Sequence, residues 1–349
     1  MKYRLLGQTG LYVSELCLGC MTFGNQGFWK VMGGLELPEV KVLVRQAFEA
    51  GINFFDTANV YSLGESERLL GQAIKALGLP RDQMVIATKA TGIMTDLPNG
   101  RGQSRFHLMQ ELDASLKRLQ VDCIDLYQLH GIDPLTPIEE TLSTLNDMVR
   151  SGKVRYIGLC NMAAWQIMQA LAISEAKGWS RFVSVQSYYS LAGRDLEREL
   201  IPLIEHQRLG LMVWSPLAGG LLSGKFSRDG QAPAGTRRAS FDFPVVDKNR
   251  AFDCVEALRP MAERRGVTVA RLALAWLLSR SAVSSVILGA RTLDQLQDNL
   301  AASDVIWSDE ELALLAKLSQ LPPEYPGWML ERQAEYRQRV PVFPSNPSK

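Results

Sequence analysis

Ile52-Asn53-Phe54-Phe55-Asp56, Met84-Val85-Ile86-Ala87-Thr88-Lys89 and Ile124-Asp125-Leu126-Tyr127-Gln128-Leu129-His130 are three apolar runs, each closed by a polar residue able to take part in proton transfer. Tyr61 follows Asp56 by five residues. Short apolar runs of this kind read as buried strands. They place an acid, a phenol, an amine and an imidazole at or just past the C-terminal ends of successive strands. A parallel barrel builds its active face from such strand ends.

The same pattern extends in both directions. Tyr3-Arg4-Leu5-Leu6, a turn at Gly7-Gln8-Thr9-Gly10 and Leu11-Tyr12-Val13 predict an N-terminal β-hairpin cap over residues 1–15. Strand-like runs then end near Gly19, Asp56, Lys89, His130, Cys160, Gln186, Trp214 and Leu288. Helical periodicity fills the gaps, as in Val40, Val44, Ala47 and Phe48, in Leu108, Leu112, Leu116 and Leu119, and in Leu142, Leu145, Met148 and Val149. Eight strand–helix units in succession predict an α/β fold, a closed (β/α)8 TIM barrel. Right-handed crossovers put every strand's C-terminal end on one face. The rival is a doubly wound open sheet, which normally carries a Gly-rich turn after its first strand. Here Gly19-Cys20-Met21-Thr22-Phe23-Gly24 does not fit that fingerprint.

Three segments interrupt the alternation. Residues Asn25 to Leu37 form an aromatic-bearing loop, and the 74 residues that follow Trp214 up to Leu288 are too many for one unit. That second segment begins with a Gly/Ser/Pro-rich stretch, Gly219 to Pro244, giving a long loop after the seventh barrel strand. From Pro322 onward the chain is Pro- and aromatic-rich, and residues 322–349 are expected to be a C-terminal loop and tail. No linker divides the chain, so residues 1–349 are expected to form one domain. A barrel of about 250 to 400 residues suits this length.

Hydrophobic residues make up 46% of the chain and charged residues 21%, with 38 basic against 37 acidic side chains for a net charge of +1. With no basic stripe interleaved with aromatics, nucleic acid and anionic membrane are excluded as partners. The longest apolar stretch, Leu272 to Leu278, is far short of the ~20 residues that span a bilayer. With no apolar signal segment near Met1 and five scattered cysteines, the expected compartment is the cytoplasm. Cys17 and Cys20 have C-x-x-C spacing, but no second pair follows, and they read as buried small hydrophobes rather than metal ligands. His107 and His206 fall in helices without companions and are expected at the surface.

A buried phenol has an ordinary pKa near ~10 and becomes a useful proton donor when a cation stabilises its phenolate. Lys89 can supply that charge, Asp56 can hold Lys89 ionised, and His130 can orient the reacting oxygen. Taken singly, Asp56 could be a helix cap and Tyr61 loop packing. The conjunction carries the inference: protonation of a carbonyl oxygen while hydride arrives at carbon, or the reverse.

At this point the sequence resembles a family. Gly51-Ile52-Asn53-Phe54-Phe55-Asp56-Thr57-Ala58-Asn59-Val60-Tyr61 followed by Gly64-Glu65-Ser66-Glu67, together with Ala87-Thr88-Lys89 and Leu126-Tyr127-Gln128-Leu129-His130, resembles the aldo-keto reductases from Leu6 to about Asn299. The resemblance implies a (β/α)8 barrel, NADPH as hydride donor, and Tyr61 as general acid assisted by Lys89, Asp56 and His130. It also implies a cofactor set. Gly19, Met21 and Asp56 lie at the mouth, and Asn161 and Gln186 match positions that hold the carboxamide. Trp214 resembles the aromatic stacked on the nicotinamide. Ser215, Pro216, Leu217 and Gly219 form the loop over the pyrophosphate, with Lys225 as counter-charge and Arg238 in the same belt. Gly289 and Arg291 open the helix after the last strand, followed by Gln295, Asp298 and Asn299 at the adenosine end. Many members carry an arginine where Gln295 stands, and Arg291 can supply that charge to a 2′-phosphate, favouring NADPH over NADH.

The substrate expected is a small carbonyl compound or alcohol. Phe28, Trp29, Tyr188, Tyr325 and Trp328 lie in segments able to reach the mouth. Two other readings stand beside this one. Residues 215–225 also resemble potassium-channel β subunits, which share the barrel and hold the cofactor as regulatory proteins but typically lack the histidine found here as His130. Assembly as a homo-oligomer suits either reading. A Schiff-base aldolase using Lys89 is chemically open on this fold, and Tyr61 with the nicotinamide-like set argues against it.

Overall fold

The computed structural model describes residues 1–228, 230 and 236–338. β1 (Tyr3–Leu5) and β2 (Tyr12–Ser14) pair antiparallel as the expected hairpin. The eight barrel strands are β3 (Leu16–Gly19), β4 (Phe54–Asp56), β5 (Val85–Ala90), β6 (Ile124–Leu129), β7 (Val154–Cys160), β8 (Phe182–Tyr188), β9 (Gly210–Trp214) and β10 (Val283–Leu288). All eight pair in parallel, in chain order, and β10 closes on β3. This is a (β/α)8 TIM barrel.

Helices α1 (Leu37–Glu49), α2 (Glu65–Leu77), α3 (Arg105–Leu119), α4 (Ile138–Arg150), α5 (Ala164–Lys177) and α6 (Leu200–Gln207) return the chain between strands. After β9 come α7 (Arg237–Ser240), α8 (Lys248–Arg265) and α9 (Val269–Leu278), so the long seventh connection holds a short helix and two full ones. α10 (Leu293–Leu300) and α11 (Asp309–Leu318) follow β10.

The strand period of two sorts side chains between two cores. On β5, Ile86 and Ala90 join the large cluster between barrel and helices, while Val85 and Ala87 point inward. Leu6 and Val13 of the hairpin region belong to the inner cluster, with Cys17, Phe54, Leu126, Met212 and Ile287. Arg4 ties the hairpin to the barrel, donating to the carbonyls of Leu278 at 2.6 Å and Val283 at 2.7 Å. The lower barrel is therefore apolar, and the next inward layer carries polar groups.

The chain divides after Ser319, and the second unit begins at Gln320. It contains α12 (Gly327–Gln338), where the sequence reading expects only loop. Met329 and Leu330 donate their backbone N–H groups to the Pro326 carbonyl, each at 2.9 Å, and start the helix. Leu330-Glu331-Arg332-Gln333-Ala334 are strong helix formers, a signal outweighed in the sequence by the surrounding prolines. The remainder of the expected tail, 339–349, lies outside the described residues.

Candidate active site

The inward layer above the apolar plug decides the chemistry. Asp56, Lys89, Gln128, Cys160 and Gln186 come from five adjacent strands, β4 to β8, and the register aligns Lys89 with Gln128 and Cys160 with Gln186. Lys89 extends the inward series Val85, Ala87, Lys89 and is fully buried. A buried ammonium is costly without partners, and here it has three. Its Nζ donates to Asp56 Oδ2 at 2.6 Å, to the Thr57 carbonyl at 2.9 Å and to Tyr61 Oη at 3.2 Å. The other Asp56 oxygen accepts from Gln128 Nε2 and Gln186 Nε2, both at 3.0 Å. Gln186 also donates to Gln128 Oε1 at 3.2 Å, and Cys160 Sγ approaches the same oxygen at 3.8 Å.

The electrostatics follow from this packing. Burial alone would lower Lys89, but the charge of Asp56, with smaller contributions from Tyr61 and Cys160, raises it well above the ordinary range. Burial raises the Tyr61 phenol and Lys89 pulls it back, leaving it above its ordinary value and protonated at neutral pH. Burial together with the Lys89 charge pushes the His130 imidazole down to about 3, so the ring is neutral. Burial raises Cys160, which stays a thiol.

Tyr61 sits where β4 gives way to α2, its ring edge-on to His130 at 5.6 Å and to Trp29 at 4.9 Å between centroids. Further rings continue from Trp29. Phe28 contacts Trp29 at 5.8 Å and Phe241 at 5.2 Å, and Phe241 contacts Phe243 at 5.4 Å. Phe243 stacks on Trp214 at 5.8 Å with 7° between planes, and Trp214 meets Tyr188 at 5.2 Å. Trp214 Nε1 donates to Asn161 Oδ1 at 2.9 Å, and Asn161 Nδ2 to the His130 carbonyl at 3.3 Å, which fixes the indole beside the imidazole strand.

The structure thus brings Asp56, Tyr61, Lys89, His130, Asn161, Gln186, Trp214, Phe28, Trp29 and Tyr188 to one mouth. Gly19 ends β3 so close to β10 that a Cβ would stand 2.6 Å from Ile287 Cγ2. Met21 is half-buried just beyond it. Ser215 is in the left-handed region (φ 50°), and its Oγ accepts from the Gly219 N–H at 3.0 Å. Pro216 is buried, Leu217 packs against the outer core and Lys225 is exposed.

Other members of the expected set are held differently. Arg238 donates to the carbonyls of Ala218 at 2.9 Å and Pro244 at 2.8 Å and pairs with Asp242, fastening one side of the loop to the other. Asp298 is engaged by Arg271 at 2.7 Å. Gln295 Oε1 accepts the Arg291 N–H at 2.9 Å, while Asn299 is buried on the same helix and Gly289 faces open space. Trp328 and Tyr325 belong to the unit after Ser319, where their rings meet at 6.0 Å. His107 is a correction. It is buried, because α3 begins at Arg105 and its Nδ1 turns under the preceding loop to the Asn99 carbonyl at 3.1 Å. His206 is exposed, as expected.

Sequence reasoning missed Gln128 as a site residue, along with Phe241, Phe243 and Arg237. A glutamine two residues beyond Leu126, on the inward register, was a readable signal. Arg237 was not. It donates to the Phe243 carbonyl at 2.8 Å, its buried Nε has no partner among the described residues, and burial with the nearby charges of Arg238 and Arg291 lowers it to about 10. Arg291 reaches the carbonyls of Val31 at 3.1 Å and Met32 at 3.2 Å. This cluster of like charges suits an anion.

A parallel barrel with this chain of groups at its mouth defines a barrel oxidoreductase. More narrowly, the chain belongs to the aldo/keto reductase family, whose profile matches residues 15–320. It is 37% identical over 342 residues to the uncharacterized oxidoreductase YrpG of Bacillus subtilis, covering 94% of this chain and 100% of that protein. A probable voltage-gated potassium channel subunit beta of rice (Oryza sativa subsp. japonica) is 38% identical over 312 residues, covering 88% and 92%. Versiconal hemiacetal acetate reductase of Aspergillus parasiticus is 35% identical over 341 residues, covering 90% and 96%. The protein is an NAD(P)H-dependent oxidoreductase. Among the described residues, no helix is long and apolar enough to cross a membrane.

Proposed function

We propose that the protein reduces aldehydes or ketones with NADPH, or oxidises the corresponding alcohols, with Tyr61 as general acid and base. The hydrogen bond from Lys89 Nζ to Tyr61 Oη, at 3.2 Å inside a buried ion pair, carries this reading. The reduced cofactor, when bound, supplies the hydride. Tyr61 holds the proton that the carbonyl oxygen takes up. Lys89 favours the phenolate left behind, and Asp56, anchored by Gln128 and Gln186, keeps Lys89 charged and in place. Neutral His130 can donate a hydrogen bond to the carbonyl oxygen without competing for the proton.

The residues fit the cofactor on chemical grounds. Trp214 offers a planar apolar face held by Asn161, and Gln186 and Asn161 offer amides. The Arg237 Nε, buried with no partner among the described residues and beside Arg238 and Arg291, answers a phosphate group and supports NADPH over NADH. The aromatic rim supports a small apolar or aromatic carbonyl substrate in contact with Trp29, Phe28 and Tyr188. The test is an absorbance screen of NADPH consumption across aldehydes, ketones, quinones and sugars. Turnover with carbonyl compounds supports the reading, and no turnover with any of them removes it in favour of a regulatory, cofactor-holding role.

A further inference from the structure

Tyr61 is followed directly by Ser62, Leu63 and Gly64 with φ of 50°, 54° and 90°, three consecutive residues in the left-handed region. Two of them carry side chains that disfavour it, so the turn persists only because its surroundings hold it. Tyr61 accepts one hydrogen bond from Lys89 Nζ at 3.2 Å and donates its backbone N–H to the Ala58 carbonyl at 3.2 Å, and neither bond reaches Ser62 to Gly64. Backbone bonds from Asn59 to the Lys89 carbonyl at 3.0 Å and from Leu63 to the Val60 carbonyl at 3.1 Å hold part of the segment, and α3 adds a side-chain restraint from the outside of the barrel.

Arg118 is its centre. Its Nε donates to Glu67 Oε2 at 2.5 Å, and Nη2 donates to Glu111 Oε2 and Ser115 Oγ, each at 3.1 Å. Glu111 Oε2 also accepts from Asn59 Nδ2 at 2.9 Å. Asn59 precedes Tyr61 by two residues and Glu67 follows it by six. One guanidinium therefore grips the loop on both flanks. The other Glu67 oxygen accepts from Thr88 Oγ1 at 2.5 Å, tying the same clamp to the strand residue next to Lys89. Between the flanks, a Cβ at Gly64 would stand 2.6 Å from Arg118 Cδ, so the strained turn rests on the arginine stem. Glu67 is fully buried, and burial raises its carboxyl against the pull of Arg118.

We propose that Arg118 is a positioning residue for Tyr61: it fastens Asn59 through Glu111 and Glu67 directly, and so sets the phenol against Lys89. Among the described residues no hydrogen bond joins Arg118 to Asp56, Tyr61, Lys89 or His130, so it acts through the loop and through the Glu67–Thr88 tie. The inference rests on the reading of Tyr61 as the proton donor. It also predicts that catalysis and cofactor binding respond differently, because the clamp lies away from Trp214, Asn161 and the arginine cluster.

The experiment compares Arg118→Met, Arg118→Lys, Glu111→Gln and Tyr61→Phe. It measures kcat with an aromatic aldehyde, NADPH affinity and stoichiometry by tryptophan fluorescence, and melting temperature. Displacing a reacting group by about 1 Å can cost about a hundredfold in rate. Arg118→Met should lower kcat per cofactor-binding site at least tenfold with NADPH affinity within twofold, and Arg118→Lys should recover part of that loss. Folded Arg118→Met with kcat within twofold of the parent overturns the proposal. So does a fall in cofactor stoichiometry that accounts for the whole loss of kcat, since that marks a purely structural role. If Arg118→Met does not fold, Glu111→Gln leaves the Glu67–Arg118 pair intact and is read by the same split. Near-normal turnover in Tyr61→Phe would overturn the Tyr61 assignment, and this inference with it; lost turnover there beside a normal Arg118→Met overturns this inference alone.

Discussion

The Lys89 ammonium donates to the Tyr61 hydroxyl across 3.2 Å while its charge sits 4.8 Å from the centre of the same ring. The amine is thus aimed at both the oxygen that would carry a developing negative charge and the face behind it. Asp56, at 2.6 Å on the other side, makes that aim depend on a buried pair.

Breaking the pair should therefore damage stability as well as rate. Asp56→Asn leaves a buried cation with only neutral partners, and removing one member of a buried pair costs about 3–5 kcal/mol. Urea denaturation should show a loss of that order. Lys89→Met should lower kcat by roughly 10²–10⁴. A melting temperature unchanged in Asp56→Asn would show that the pair is not the restraint described.

His130 gives a pH prediction whose sign is fixed by its surroundings. The imidazole goes from an ordinary 6.5 down to about 3 in the folded protein. Below its ordinary value the unfolded chain binds a proton that the folded chain refuses. The contribution of this group to stability is therefore lost as pH falls from about 6.5 towards 3. His130→Gln should flatten stability over that window when denaturation is followed as a function of pH. A parent and variant with parallel curves would contradict the neutral imidazole.

The arginine cluster predicts selectivity between cofactors. Arg291→Ala and Arg237→Ala should each weaken NADPH binding about tenfold or more, the scale of a lost charged hydrogen bond of roughly 1.5–3 kcal/mol. NADH binding should change less than about threefold, within the spread of neutral surface changes. Fluorescence titration with both cofactors checks this, and equal losses would remove the phosphate assignment.

Much of this site is legible in the sequence because strands alternate. Asp56, Lys89 and His130 can be read as the ends of apolar runs, and the inward register of Lys89 follows from Val85 and Ala87. Gln128 obeys the same rule but sits inside a run, where a polar residue attracts less notice than one at its end. Phe241 and Phe243 could not be read this way. Their neighbours, Phe28 in the loop after β3 and Trp214 at the end of β9, are far away in the sequence, and such contacts leave no periodic trace. Arg237 illustrates the same limit: the like charges that add to burial in lowering it belong to Arg238 beside it and to Arg291 more than fifty residues away. His107 reads as a surface residue because it has no companion in its helix, yet the loop before the helix folds over its first turn.

The most direct test of the account is turnover of Tyr61→Phe with NADPH and nitrobenzaldehyde, measured beside cofactor binding in the same preparation. Removing only the phenol oxygen leaves the ring contacts with Trp29 and His130 available. NADPH should still bind within about threefold of the parent while reduction falls by about a hundredfold or more. Near-normal turnover by a variant that binds NADPH normally would contradict it.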